Sequence, residues 1–245
     1  MQISDGIHRL GSGLINVYLV ADGGGVTIID AGLRGSWAAL LTELASMGRS
    51  LADVRAVVLT HGHSDHIGFA ERARKERGVP VSIHTADALL ARGEVPNPAK
   101  GMGPIRPLPL LRFLALSIRL GGWRIERLTE VVTFGDGATL DVPGSPRVVL
   151  LPGHTPGSVA LHLTDRETLF VGDAIATVAV TTGITGPQVA AFTADAAQAV
   201  ASLDRLTGID ARWILPGHGQ PWTGGTAAAV AAVRESAAAA GVGRR

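Results

Sequence analysis

The segment Thr60-His61-Gly62-His63-Ser64-Asp65-His66 places three imidazoles and a carboxylate within seven consecutive positions. Three further groups of the same chemistry stand alone after glycine: His154 after Pro152-Gly153, Asp173 after Gly172, and His218 after Pro216-Gly217. Imidazole nitrogen and carboxylate oxygen are the ligands that Zn²⁺ accepts at roughly 2.0–2.2 Å. The chain has no cysteine, so sulfur ligands, disulfides and thiolate nucleophiles are excluded together. Gly62 is small enough to let His61 and His63 turn toward one ion while Asp65 and His66 turn toward another. Five imidazoles and two carboxylates exceed what one tetrahedral ion needs. They suit two ions joined by a carboxylate and a hydroxide, with positions left open for substrate. A His-x-His-x-Asp-His string arises by chance in on the order of 1 in 2000 shuffled chains of this composition, so the pattern is informative.

Such ligands need rigid carriers, and the sequence supplies them. Ala56 to Leu59 leads into the histidine segment, Arg147 to Leu151 into His154, Thr168 to Val171 into Asp173, Arg212 to Leu215 into His218, and Val26 to Ile29 into Asp30. Each run is short, apolar and β-branched, the pattern of a strand buried on both faces. Val17 to Val20, Val79 to Ile83 and Val159 to Leu163 read the same way. Helical spacing appears from Ser36 through Trp37, Leu40, Leu44 and Met47 to a closing Gly48. It recurs from Thr193 through Ala196, Val200 and Leu203 to Gly208, and from Thr226 to about Ala240. The tail at 241–245 is expected to be mobile. Strands alternating with helices predict a layered α/β fold with the site where strand ends gather. Thr155-Pro156-Gly157-Ser158 reads as a turn fixing His154, and no Gly-x-Ser-x-Gly elbow is present to make a serine nucleophile.

These residues resemble the metallo-β-lactamase-fold hydrolases along most of the chain. Asp30 matches the first motif of that family, His61, His63, Asp65 and His66 its signature, and His154, Asp173 and His218 the third, fourth and fifth motifs. The resemblance implies one domain over 1–245 with a four-layer αββα sandwich: two mixed sheets face to face and helices outside. It also implies that His61, His63 and His154 hold one ion, that Asp65, His66 and His218 hold the other, and that Asp173 bridges them. Asp30 would support the histidine loop from behind. Two divalent ions are then the cofactors, zinc before iron or manganese, and a hydroxide between them would attack a carbonyl with Asp65 shuttling the proton. Asp173 and the Gly-His-Thr-Pro-Gly-Ser and Pro-Gly-His-Gly segments are similar to the glyoxalase II and lactonase branches, whereas lactamases of the family carry Cys or Ser at the fourth motif. An ester, lactone or thioester is therefore the expected substrate. Alternatives of the same fold are a mononuclear iron persulfide dioxygenase, a β-lactamase and an RNA phosphodiesterase.

Composition narrows the partners. In 245 residues, 46% are apolar and 18% charged, which is incompatible with disorder. Twenty-two Lys and Arg against 21 Asp and Glu give a net charge of +1, with no long-range field for nucleic acid or an anionic membrane, so neither is expected as a partner. The N-terminus lacks the basic start and apolar run of a signal peptide, and a cytoplasmic small-molecule enzyme is the expectation. Between 93 and 128 five prolines precede the apolar segment Leu110 to Leu120, which carries Arg112 and Arg119. This insertion reads either as a lid over an acyl substrate or as a packing element, at the core or in a homodimer. His84 and His162 are read as hydrogen-bonded structural groups, Tyr18 as core, and Asn16 as able to reach the site.

Overall fold

The computed structural model describes residues 1–99 and 101–242; part of the expected mobile tail, 243–245, lies outside the described residues. A seven-stranded sheet runs in chain order through β1 (Gln2–Ser4), β2 (Ile7–Gly11), β3 (Asn16–Asp22), β4 (Gly25–Ile29), β5 (Val54–Val58), β6 (Val81–His84) and β7 (Val132–Phe134). The first four strands are antiparallel neighbours, and β4 to β7 are parallel. A second sheet has the order β13-β10-β9-β8, from β8 (Arg147–Leu150), β9 (Val159–Leu163), β10 (Thr168–Gly172) and β13 (Trp213–Pro216). A hairpin of β11 (Ala176–Val178) and β12 (Thr185–Gln188) lies beside it in the chain. The helices are α1 (Trp37–Ser46), α2 (Ala70–Arg77), α3 (Ala88–Arg92), α4 (Pro107–Arg119), α5 (Ala196–Ser202) and α6 (Thr226–Ala239).

Two-residue periodicity explains the layers. In β3, Val17 and Leu19 face one side and Tyr18 and Val20 the other. The first pair joins Ile28, Val57, Trp37, Leu40 and Leu44 in a cluster between the sheet and α1. The second joins Ile29 and Val58 against Leu161, Phe170 and Leu215 of the other sheet. Leu169, Val171 and Ile214, out of phase with Phe170 and Leu215, pack outward on Leu203, Ala229 and Val233 near α5 and α6. Both faces of both sheets are thus covered, which is why the strands read as continuous apolar runs. The result is the expected α/β sandwich of two mixed sheets with helices outside. The centre is tight: the Tyr18 and Phe170 rings lie 5.3 Å apart, and Phe170→Ala there would cost about 3–5 kcal/mol.

One expected helix start holds and one is corrected. Helix α1 begins at Trp37 with Ser36 at its N-cap position, although the Ser36 hydroxyl accepts from the Leu33 amide and makes no cap bond. Thr193 does not open α5. Asp195 caps it by accepting from the Gln198 amide at 2.9 Å, leaving the Thr193 hydroxyl free for another role. Helix α2 escaped the periodicity argument because Ala70 and Ala73 alone provide its apolar buried face. Its Glu71 is buried too, held by Arg74 at 3.0 Å and by Thr129 at 2.8 Å.

Candidate metal centre

Strand direction gathers the site. Strand β8 is antiparallel to β9, β9 to β10, and β10 is parallel to β13, so β8, β10 and β13 all end at the same edge. The parallel strands β4, β5 and β6 end together in the other sheet. The residues just past these ends meet: His61, His63 and His154 form one group, Asp65, His66 and His218 a second, and His61, His66 and Asp173 a third. Within each group the candidate ligand atoms lie within 4.8 Å of one another. All seven sequence-predicted ligands are therefore brought together. Six are buried, and Asp65 is half-buried at the mouth.

Asp173 stands between the two triplets. Its Oδ2 lies 3.4 Å from His154 Nε2 and 3.1 Å from His218 Nε2, and its Oδ1 lies 3.5 Å from His66 Nε2. Asp65 Oδ2 is 3.4 Å from His218 Nε2. The approach depends on a bare backbone, because a Cβ at Gly217 would sit 2.4 Å from Asp173 Oδ1 and 2.5 Å from His66 Cε1.

Each imidazole has one nitrogen fixed by the protein and the other turned inward. His61 Nδ1 is 3.1 Å from Thr60 Oγ1, and that hydroxyl donates to Asp30 Oδ2 at 2.8 Å. His66 Nδ1 is 2.9 Å from the same Asp30 Oδ2. One carboxylate thus orients a histidine from each triplet. Asp30 also accepts from the Thr60 amide, and its φ of 60° is a conformation that a short acidic residue tolerates better than most. His154 Nδ1 is 2.9 Å from Thr193 Oγ1, which donates to the Ala190 carbonyl. His218 Nδ1 donates to the Leu14 carbonyl. His63 is reversed: its Nε2 is 3.1 Å from Asn97 Oδ1, so its Nδ1 faces inward, 2.9 Å from His154 Nε2.

The donor set fits divalent ions. His61 Nε2, His66 Nε2 and Asp173 Oδ1 are buried without any hydrogen-bond partner among the described residues, although a buried polar atom left unpaired costs about 1–3 kcal/mol. Three such atoms converging on one another, backed by fixed tautomers, is the arrangement a cation would satisfy. The electrostatics divide the site. Burial, reinforced by the neighbouring imidazoles, lowers the pKa of His61; burial lowers that of His63; and burial holds His154 at about 3. Burial also opposes charge on His66 and His218. There the carboxylates win: Asp30, Asp173 and Asp65 hold His66 at about 10, and Asp173 and Asp65 hold His218 at about 9. Asp173 stays ionised well below the usual range despite its burial, because His218, His66 and His154 surround it.

Sequence reasoning missed three supports. Asp87, just past the end of β6, is buried; its carboxylate accepts from the amides of Gly62 and Gly157 and from the Thr155 hydroxyl at 2.7–2.8 Å. It ties the His61–His63 loop to the His154 loop. Asp87 sits past the run Val81-Ser82-Ile83 by the same logic that singled out Asp30, and that position was its signal. Thr193 and Asn97 had none, since each reaches its histidine from irregular chain. Asn16, at the start of antiparallel β3, donates to the Pro216 and Gly219 carbonyls and so fixes the His218 loop. Tyr18 is core as expected, its hydroxyl donating to the Pro216 carbonyl. His84 Nδ1 accepts from the Ala86 amide, whereas His162 Nε2 is buried without a partner among the described residues.

The sequence profile of the metallo-beta-lactamase superfamily matches residues 10–218, and the chain belongs to that superfamily. It is 29% identical over 236 residues to the probable metallo-hydrolase YflN of Bacillus subtilis (strain 168), covering 91% of this chain and 87% of that one. The structure of the metallo-beta-lactamase family protein TTHA1429 from Thermus thermophilus superposes with a TM-score of 0.67 at 25% identity, over 98% of this chain and 79% of that one. TTHA1623, solved in a di-iron-bound form, gives 0.59 at 28% identity over 89% and 93%. Among the described residues, no helix is long and apolar enough to cross a membrane.

Proposed function

We propose that this chain is a dinuclear-metal hydrolase of the glyoxalase II or lactonase-like branch, cleaving an ester, lactone or thioester. The observation that carries the reading is Asp173, whose carboxylate faces ligands of both triplets at 3.1–3.5 Å. His61, His63 and His154 would hold one ion and Asp65, His66 and His218 the other, with zinc favoured by the nitrogen and oxygen donors and iron or manganese as substitutes. A pair of such ions supplies a water acidified to near neutral pH and a Lewis acid for the carbonyl. The chain's own groups do the rest. Asp65 is the half-buried carboxylate at the mouth, placed to take the proton of the attacking water at Oδ2 and pass it to the departing oxygen or sulfur. Asp30, Thr193, Asn97 and the Leu14 carbonyl keep the imidazoles aimed, and Asp87 keeps the two loops in register.

An apolar acyl group is favoured by a cavity of about 550 Å³ beside the site, lined by Met102, Pro104, Val189, Ala190, Phe192 and Thr193 among others. Thr193 belongs to both places, since its hydroxyl also holds His154. The decisive experiment is a panel of thioesters, lactones, aryl esters, a β-lactam and a phosphodiester run on metal-quantified protein. Turnover of the first three well above the last two, with close to two ions per chain, is the expected result. Activity with a single iron that consumes oxygen would instead make the protein a persulfide-dioxygenase-like oxidoreductase.

A further inference from the structure

Helix α4 presents two apolar faces, and only one of them is used. Phe113 points inward, its ring 6.1 Å from that of His218, and packs with Ile15, Leu33 and Val180. Both ends of the segment are anchored: the Arg106 amide donates to the Thr181 carbonyl, and the Gly35 amide to the Leu120 carbonyl. The opposite side is bare. Leu108, Leu111, Leu114 and Ile118 are 44–66% exposed, and Trp123 just beyond the helix is 66% exposed. At 100° per residue the four helical side chains span about 120° of arc, directed away from Phe113, with Arg112 and Arg119 along one border. Exposed large apolar residues gathered this way mark a contact surface.

Charge identifies the partner. Between Val95 and Ile125 lie five of the chain's 22 basic residues and none of its 21 acidic ones, leaving 17 basic against 21 acidic residues elsewhere. The near-neutral whole thus conceals a cationic segment on an otherwise acidic body. Arg106, Arg112, Arg119 and Arg124 are all exposed, and none is ion-paired among the described residues. The Arg124 guanidinium lies 4.1 Å over the Trp123 ring, keeping cation and indole at the same level. A helix with leucine and isoleucine outward, tryptophan at its end and only arginine for charge has the make-up of an element lying in a bilayer interface. A second copy of the chain fits less well, because antiparallel pairing of this face with itself would bring two arginine borders together.

We propose that the outward face of α4, with Trp123 and the flanking arginines, docks on an anionic phospholipid surface, the apolar side chains entering the headgroup boundary. Since the inner face of the helix meets His218, docking sets the metal centre about one helix diameter, roughly 10 Å, from the lipid.

The test uses full-length, metal-loaded protein and vesicles of phosphatidylcholine, alone or with about one-third phosphatidylglycerol. Co-sedimentation with the anionic vesicles only, weakening as salt is raised, is expected. Arg112→Gln with Arg119→Gln should weaken binding about 30-fold, and Leu111→Ser with Ile118→Ser at least about tenfold, with metal content and melting temperature unchanged because none of the four is buried. The proposal is overturned if the protein stays in the supernatant with both vesicle types, or if it binds and the substitutions leave binding intact. A dimer in sedimentation equilibrium that the serine pair converts to monomer would also overturn it, assigning the face to a subunit contact.

Discussion

The two triplets differ in make-up, three histidines against two histidines and Asp65, and in what surrounds their imidazoles. His61, His63 and His154 are backed by neutral groups, the Thr60 hydroxyl, the Asn97 amide oxygen and the Thr193 hydroxyl, and burial keeps them deprotonated. His66 and His218 face carboxylates, and those carboxylates hold protons on them to about 10 and about 9. The first triplet is thus ready for a cation at any ordinary pH, whereas the second must exchange protons for one. In one shared site, two carboxylates within 3.5 Å of a histidine convert a preformed ligand into a pH-gated one, whereas Asp173 alone does not overcome burial at His154.

The strongest way to break this contrast is to remove what the triplets share. Asp173→Ala should empty both positions and lower activity about a thousandfold or more; two ions per chain by elemental analysis of that variant would refute the bridging role. Next comes pH. A protonated imidazole cannot ligate, so between about 6.5 and 9 affinity at the second position should rise with pH, by up to about a hundredfold per unit if both protons are displaced. Affinity at the first position should stay flat across that range. Calorimetric titration of metal-free protein in buffers of different ionisation enthalpy counts the released protons directly. Release of none at either position would dissolve the distinction.

Smaller changes sharpen it. Asp30→Asn keeps an acceptor near His66 but removes its charge, and should weaken the second position about 10–100-fold while making it less pH-dependent. Thr193→Val, the neutral counterpart, should weaken only the first position, by about tenfold or less, as read in stepwise metal titrations. Asp87→Asn should act mainly on the first triplet, since the two loops it ties carry His61, His63 and His154: about 2–3 kcal/mol of stability in denaturant unfolding, with a less than about tenfold change in activity. An equal effect on the second position would show that the loosening spreads along the histidine segment to Asp65 and His66.

Most of the site was legible because ligation chemistry is local in type. A buried strand run followed within three residues by a histidine or aspartate is visible as a string, and the five runs that lead into Asp30 and the site ligands end at one edge. Asp87 stands three residues past the end of β6 and was passed over because no glycine or histidine cluster marks its turn. Thr193 was misassigned for an instructive reason: a threonine before an apolar run is a sound helix cap in isolation, but Asp195, two residues nearer the helix, does that work better. The bare face of α4 was invisible for the opposite reason, since leucines at helical spacing look the same whether a core covers them or not.

What the sequence determined alone was the list of groups able to bind a cation and the alternation that makes two sheets pack between helices, because both depend on residue type and period. The tertiary structure decided which nitrogen of each imidazole points inward, which histidines sit beside carboxylates, and which side of α4 remains uncovered. Those depend on partners such as Asp30 with His66, or Thr193 with His154, that lie 36 and 39 residues apart in the chain and meet only when the strands are in register.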